Sequence, residues 1–252
     1  MEHVAAVVRA AVDLLFPPVC LVCGAAGGRH PSLCDACWRS IRRLAPPWCA
    51  LCGRPFWVLD PGVVAAGDGA IDRCGACRRR RPGFTYGRSA AVYEGAVREA
   101  VHALKFSGKS VLAAPLGDLL LETCARGLPV APDLVVPVPL HPARERERGF
   151  NQAALLARRV ARGLGIALDT RALRRLRTTR AQAELSGAER RANVRGAFAA
   201  RARANLAGRH VLLVDDVLTT GATITACARA TLHAGALTVG ALTVARVTET
   251  AV

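Results

Sequence analysis

Hydrophobic residues follow two different periods along the C-terminal two thirds of the chain, and together they predict an α/β sheet. Short continuous apolar runs are typical of buried strands, whereas apolar residues three or four positions apart indicate helices that cover a sheet. The predicted strands are 88–93, 133–138, 210–217 and 237–244, and the predicted helices are 94–106, 111–125, 143–163 and 221–233. Because strands and helices alternate, we expect a parallel sheet flanked by helices.

The N-terminal part of the chain lacks long periodic runs and predicts a separate module. Apolar positions over 1–16 fit one face of a helix, and a segment rich in Cys, Pro, Gly and Arg follows it. The basic run Arg78–Arg81 and the turn residues after it mark a boundary. We therefore expect two domains, a cysteine-rich module over 1–82 and an α/β domain over 83–252.

Eight of the ten cysteines form four C-x₂-C pairs, which predict two structural zinc sites. A disulfide framework would require a secretion signal, and a redox site would require one pair at a helix start, whereas an iron–sulfur cluster remains an alternative for the same thiolates. Both a sequential and a crossed pairing fit the spacing, and the isolated Cys124 and Cys227 are expected in the core. The predicted ligands are Cys20, Cys23, Cys34, Cys37, Cys49, Cys52, Cys74 and Cys77.

The segment Val211–Thr223 carries the most specific chemistry in the chain. An apolar run ends in Asp215 and Asp216, and Thr-Thr-Gly-Ala-Thr then opens a helix. In open α/β sheets, ligands bind at the carboxyl ends of strands, and the N–H groups at a helix start donate hydrogen bonds to a phosphate. The carboxylates would repel that phosphate but accept hydrogen bonds from vicinal hydroxyls. A phosphate site beside a diol site suits a ribose 5-phosphate.

A nucleotide-binding P-loop is the main alternative, because Ala103–Ser110 satisfies a relaxed A-x₄-G-K-S pattern. A P-loop must follow a strand and open a helix, whereas 94–106 is predicted to be helical. The pattern also has Ala where the first Gly belongs. We therefore favour the ribose phosphate site.

The net charge and the absence of a long apolar run predict the partners of the chain and its location in the cell. The formal net charge is +16, which favours phosphorylated ligands or nucleic acid as partners. No uncharged apolar run approaches the ~20 residues that span a bilayer. Charged residues interrupt the N-terminal apolar stretch, and no small-residue cleavage site follows it. These features predict a cytoplasmic protein without a membrane span.

Several motifs together resemble the ComF family, whose members are associated with DNA uptake during competence. The residues that carry the resemblance are Leu104-Lys105-Phe106-x-Gly108, Val136–Leu140, Arg148–Gln152, Gln182, Leu185, Arg190, Asn193 and Val214–Thr223, together with the cysteine pairs. The resemblance covers nearly the whole chain. It implies a type I phosphoribosyltransferase fold behind a double zinc ribbon, with 5-phosphoribosyl-1-pyrophosphate and Mg²⁺ as ligands.

The resemblance also implies roles for single residues. Asp215 and Asp216 would hold the ribose hydroxyls as catalytic residues, and 177–187 would be a mobile loop that closes as a lid. The ligand-binding residues implied are Val214, Thr219, Thr220, Gly221, Ala222, Thr223, Lys105, Pro139, Arg148 and Arg180. No pattern identifies the acceptor, so two functions stay open: a phosphoribosyltransferase (a glycosyltransferase of nucleotide metabolism), or a non-catalytic sensor of the same ligand that binds single-stranded DNA and works with a DNA-uptake helicase.

Overall fold

A computed structural model describes five stretches of the chain, 19–26, 32–56, 73–124, 127–177 and 187–248, without the side chains of 187, 188, 190 and 191. The predicted helix at 1–16 lies outside these residues. So does most of the predicted lid, including Arg180. None of the helices within the described stretches is long and apolar enough to cross a membrane.

Five parallel strands form the central sheet, in the order β1-β7-β6-β2-β3. These strands are β1 (Tyr86–Val92), β2 (Leu134–Pro137), β3 (Ala167–Leu168), β6 (His210–Leu218) and β7 (Thr238–Arg246). A separate antiparallel pair consists of β4 (Leu173–Arg175) and β5 (Phe198–Ala200). Continuous burial of β1, β2 and most of β6 and β7 explains why their apolar runs identified them from sequence.

Helices cover both faces of the sheet, as predicted. The described helices are α1 (Asp35–Ser40), α2 (Gly75–Arg79), α3 (Gly95–Phe106), α4 (Ala113–Thr123), α5 (Pro142–Arg148), α6 (Gln152–Leu164), α7 (Gly187–Val194) and α8 (Ala222–His233). A short 3₁₀ turn at Ser110–Leu112 precedes α4. Because 103–106 are the end of α3, the segment does not have the strand–loop–helix order of a P-loop.

One prediction of a helix was wrong. The single helix expected over 143–163 is two helices, α5 and α6, separated by a turn. Gly149 ends α5 with a φ of 82°, a left-handed conformation that glycine adopts without strain. Asn151 then caps α6, because its side chain accepts a hydrogen bond from the Ala153 N–H group. Hydrophobic periodicity does not detect such a break, since the apolar spacing resumes after it.

Side chains of β6 alternate between two hydrophobic cores, one on each face of the sheet. Leu212 and Val214 pack with α3, α4 and α6 in the first core. Val211 and Leu213 pack with α8 in the second core. Cys124 and Cys227 are buried in the first and second core respectively, as expected. The alternation decides which way the acidic residues at the end of β6 point.

The cysteine-rich module packs directly against the sheet. Backbone hydrogen bonds join Leu44 to Ala90 and Arg42 to Val92, so 42–44 runs beside β1. Glycine at position 53 has a φ of 69°, and a Cβ there would stand 2.4 Å from the carbonyl oxygen of Gly87. The boundary proposed at residue 82 therefore lies between elements that share hydrogen bonds.

Candidate functional site

The first C-x₂-C pair joins the second, and the third joins the fourth, to form two four-sulfur clusters. The first zinc site consists of Cys20, Cys23, Cys34 and Cys37, and the second of Cys49, Cys52, Cys74 and Cys77. Sulfur atoms in each cluster all lie within 4.8 Å of one another. The pairing is therefore sequential, which the spacing alone left open.

The sulfur separations fit tetrahedral zinc. Zn–S bonds of ~2.3 Å place two sulfurs of a tetrahedron about 3.8 Å apart. Cys23 Sγ and Cys34 Sγ are 3.6 Å apart, and Cys52 Sγ and Cys74 Sγ are 3.7 Å apart. All eight thiols are free of disulfides. Four protein thiolates close each site, so the zinc has a structural role.

An arginine connects the second zinc site to the sheet. Arg246, the last residue of β7, is buried and donates hydrogen bonds to the Cys52 carbonyl oxygen at 2.6 Å and the Cys52 Sγ at 3.6 Å. A zinc ion with four thiolates carries a net charge of −2, which a guanidinium beside it offsets. Arg246 lies opposite Leu218 in the register of β6 and β7. The zinc site therefore borders the carboxyl edge of the sheet.

The carboxyl ends of β2 and β6 bring together the residues predicted to bind the ligand. Pro137 pairs with Val214, and the Val138 N–H group donates to the Val214 carbonyl oxygen at 2.9 Å. Pro139, half-buried, follows at the end of β2. The Asn151 side chain donates to the Val138 carbonyl oxygen at 3.1 Å, which fixes the start of α6 beside this edge.

Asp216 points towards the face covered by α3 and α6 and is almost fully buried. The Lys105 Nζ lies 2.7 Å from its Oδ1, and the Gln152 Nε2 donates to its Oδ2 at 2.8 Å. Burial alone would lower the pKa of Lys105, but attraction to Asp216, together with a weaker attraction to Asp215, raises the pKa. Arg148 donates to the Gln152 Oε1 and lies over the Phe106 ring. These contacts form a connected polar network.

Asp215 points to the opposite face and has a different environment. Its side chain is half-buried, and its Oδ1 accepts a hydrogen bond from the Asp216 N–H group at 2.9 Å. Burial, and secondarily the negative charge of Asp216, raise the pKa of Asp215 to about 7. The two neighbouring acids are therefore not equivalent: Asp216 is an ion-pair partner, and Asp215 is a carboxyl group whose charge the protein does not fully compensate.

The threonine loop, Thr219–Thr223, leads from β6 into α8. Gly221 takes the N-cap position with a φ of 74°, and it has no side chain to cap the helix. The first turn of a helix presents N–H groups without intrahelical partners. The Ala222 N–H group donates to the Thr220 Oγ1 at 3.4 Å, a long hydrogen bond. A glycine at this position lets a phosphate approach the helix start closely.

The structure thus brings most of the predicted ligand-binding residues to one edge of the sheet. Lys105 and Arg148 join Asp216 from two helices, and Val214 and Pro139 lie at adjacent strand ends. Arg180 lies outside the described residues. Sequence reasoning assigned no role to Gln152, which links Arg148 to Asp216. Its position in the Arg-Gly-Phe-Asn-Gln motif was the available signal.

Comparison with known proteins finds two domain families in the chain. Residues 11–78 match the family described as "Double zinc ribbon domain", and residues 148–252 match the "Phosphoribosyl transferase domain". The chain is 35% identical to the DNA utilization protein YhgH of Salmonella typhi over 90% of this chain and 96% of that protein. It is 29% identical to the competence protein ComFC of Bacillus subtilis over 81% of this chain and 79% of that protein.

A solved structure of glutamine phosphoribosylpyrophosphate amidotransferase from B. subtilis is also similar, with 22% identity and a TM-score of 0.38 over 57% of this chain and 30% of that chain. The family assignment rests on the sequence relationship with YhgH and ComFC and on the two domain matches. The chain belongs to the ComF family, in which a double zinc ribbon precedes a phosphoribosyltransferase domain.

Proposed function

We propose that the chain binds 5-phosphoribosyl-1-pyrophosphate with Mg²⁺ at the carboxyl edge of its sheet. One observation carries this proposal: adjacent carboxylates lie near the carboxyl end of β6, and a short loop leads from there to a helix start with Gly221 at its N-cap. The helix start suits the 5-phosphate, because its N–H groups and the threonine hydroxyls are hydrogen-bond donors. The carboxylates suit the ribose diol, because ionised carboxylates accept hydrogen bonds and donate none.

The two acids would take unequal parts in holding the ribose. Asp215 carries one described hydrogen bond, so most of its acceptor capacity is available to a hydroxyl. Asp216 uses one lone pair on each oxygen for Lys105 and Gln152. A carboxylate has about four acceptor positions, so Asp216 retains capacity for a second hydroxyl without losing either partner.

The cationic network beside Asp216 would face the pyrophosphate end of the ligand. Lys105 and Arg148 lie on the α3 and α6 side of the edge, near the end of β2. Positive groups placed where negative charge develops stabilise a departing anion. Gln152 would act as a positioning residue, because it holds Arg148 and Asp216 in fixed relation.

The donor set also fits Mg²⁺ brought in by the ligand. Mg²⁺ in such sites keeps several waters and is held by one or two carboxylates together with substrate phosphates. Asp215, half-buried and partly uncompensated, could supply such a carboxylate. When bound, Mg²⁺ would neutralise charge on the pyrophosphate.

We further propose that the site transfers the phosphoribosyl group. The bond from ribose C1 to the pyrophosphate oxygen would break, a nitrogen nucleophile of the acceptor would bond to C1, and its proton would pass to solvent. Exclusion of water favours transfer over hydrolysis. The acceptor would be a nucleobase or an amine.

A calorimetric titration with phosphoribosyl pyrophosphate and Mg²⁺ tests the binding step. We expect saturable binding to the wild type, and a loss of affinity of about tenfold or more in Asp215→Asn and Thr219→Val. Glu99→Gln, an exposed acid on α3, is the matched control and should bind normally. Equal affinity in all variants would contradict the proposal.

A second assay separates transfer from sensing. Pyrophosphate release should depend on an added nucleobase or on ammonia. The competing function, a ligand-sensing module for single-stranded DNA in DNA uptake, is favoured by the net charge of +16 and the names of the relatives. Salt-sensitive DNA binding without turnover would establish that module and exclude the transferase.

A further inference from the structure

A cavity of about 460 Å³ lies between the second zinc ribbon and α8, and the proposed function does not use it. We call it the junction cavity. One wall is the segment from Ala76 to Pro82, a second is the face of α8 from Ala222 to His233, and a third is the turn from Val194 to Phe198. Asp215 and Asp216 do not line it, so it lies beside the ribose site and borders the proposed ligand site only at the threonine loop.

Positive charge dominates the junction cavity. Among its described lining residues there is no Asp or Glu, whereas the arginines are Arg80, Arg81, Arg195, Arg229 and Arg246. Arg246 donates a hydrogen bond to Cys52, but the other four arginines are exposed. Several guanidinium groups around one cavity repel one another unless an anion offsets their charge. Arginine suits phosphate, because its planar group donates two parallel hydrogen bonds.

Besides Thr220, Thr225 and His233, the rest of the wall is mostly apolar and partly aromatic. Phe84, Phe198 and Leu218 are buried and line the cavity with Ala226 and Ala230. Concave sites of ~300–1,000 Å³ are typical of small molecules. An inorganic anion would leave this apolar wall uncovered. The lining therefore suits a ligand with a flat apolar body and a phosphate, and a nucleoside monophosphate has both.

The cavity also touches two other functional parts of the molecule. Thr220, Gly221 and Ala222 line it, so it shares a wall with the threonine loop. Cys52, Cys77 and Arg246 line it from the second zinc site. A ligand there would contact both the zinc ribbon and the loop that opens α8. The Nε of Arg246 is buried without a described hydrogen-bond partner, so this wall has an unsatisfied donor.

We propose that the junction cavity is a second ligand site that binds a nucleoside monophosphate. The phosphate contacts Arg195 and Arg229, and the base lies against the apolar wall formed by Phe84 and Phe198. The lining of this cavity lacks both acids of the ribose site and adjoins the proposed 5-phosphate site only through Thr220, Gly221 and Ala222.

Calorimetric titration of the zinc-loaded full chain with AMP, GMP, CMP and UMP tests this site. At least one should bind saturably, and Arg195→Gln/Arg229→Gln should weaken it by about tenfold or more. Arg158→Gln/Arg162→Gln removes two exposed arginines from α6 and is the matched control, expected within about twofold of wild type. Ala226→Trp fills the cavity without changing charge and should also abolish binding.

Thr219→Val distinguishes the junction cavity from the threonine loop, which could itself hold a nucleotide phosphate. Thr219 does not line the cavity, so this variant should bind the monophosphate normally while losing phosphoribosyl pyrophosphate. The proposal is overturned by any of three results. These are no binding of the four nucleotides, loss of binding in Thr219→Val with retention in Arg195→Gln/Arg229→Gln, or equal affinity for inorganic phosphate. Tighter binding of an oligothymidylate, lost in the same arginine variant, would instead establish a DNA surface and also overturn it.

Discussion

Replacing the neighbouring acids Asp215 and Asp216 by asparagine should change stability in opposite directions. Burial destabilises the ionised form of Asp215 and raises its pKa from 3.8 to about 7. Asparagine, its neutral isostere, removes this destabilisation and keeps an oxygen that accepts the hydrogen bond from the Asp216 N–H group. Asp216 is buried against Lys105 and Gln152, so its neutral isostere leaves the lysine charge without its partner.

The size of each stability change follows from the pKa shift of Asp215 and from the free energies that buried ion pairs contribute in proteins. Each tenfold change in proton affinity corresponds to about 1.4 kcal/mol, so the raised pKa sets an upper limit of about 4 kcal/mol on the destabilisation by ionised Asp215 above pH 7, because solvent screens this half-buried side chain in part. The folded pKa of Asp215 lies above its unfolded pKa of 3.8. The stabilisation that comes from the protonated carboxyl is therefore fully present below pH 3.8 and is lost as the pH rises towards the folded pKa of about 7. Asp215→Asn should therefore gain up to about 4 kcal/mol near pH 8, and roughly half of that near pH 5. Breaking a buried ion pair costs about 3–5 kcal/mol, and Asp216→Asn should lose an amount at the lower end, because Lys105 is 21% exposed.

Urea unfolding of the zinc-loaded protein, followed by tryptophan fluorescence at both pH values, measures these changes. Glu99→Gln on the exposed side of α3 is the control for removal of a carboxylate and should leave the free energy of unfolding unchanged. The reasoning is refuted if both asparagine variants destabilise the protein equally. It is also refuted if the gain from Asp215→Asn does not depend on pH.

Three further predictions concern the ligand and the zinc sites. Affinity for phosphoribosyl pyrophosphate should rise between about pH 6 and pH 8, because ionised Asp215 accepts hydrogen bonds from hydroxyls, and the rise should be absent in Asp215→Asn; a rise of equal size in both proteins, measured calorimetrically, would contradict this. Gly53→Ala should lower the free energy of unfolding by more than Gly24→Ala. Both glycines have a positive φ, but only a Cβ at position 53 would meet the backbone, 2.4 Å from the Gly87 carbonyl oxygen. Equal urea midpoints for the two variants would disprove the close approach. Cys52→Ser should release one zinc ion and weaken the binding of phosphoribosyl pyrophosphate, because Cys52 contacts Arg246 at the end of β7. Cys23→Ser, at the exposed sulfur of the first zinc site, should also release one zinc ion but weaken that binding less. Zinc content and calorimetry on the same samples test this difference, and equal losses of affinity would contradict it.

The parts of the fold that were predicted from sequence are those in which local pattern and tertiary burial agree. The apolar run of β6 and the glycine that opens α8 specify their elements without help from the rest of the chain. The turn at Gly149 was missed because two capping residues interrupt a helical period that resumes after them. The short strand β3 was missed because two residues form no period at all.

The site was predicted in composition but not in connectivity. Its residue types follow from the Asp-Asp-x₂-Thr-Thr-Gly-Ala-Thr run, which is local. The contact of Gln152 with Asp216 spans 64 positions, so only the packing of α6 on the sheet creates it. The zinc pairing was ambiguous for the same reason, since either arrangement satisfies the spacing. Pairwise contacts between distant segments are a property of the fold.

The measurement that bears most directly on the proposed site is a crystal structure of the zinc-loaded chain with phosphoribosyl pyrophosphate and Mg²⁺. The 5-phosphate should lie at the start of α8, within hydrogen-bond distance of the threonine loop, and a ribose hydroxyl should lie beside Asp215. A phosphate bound elsewhere, with the threonine loop occupied by water and Asp215 more than one hydrogen-bond length from the sugar, would contradict the assignment.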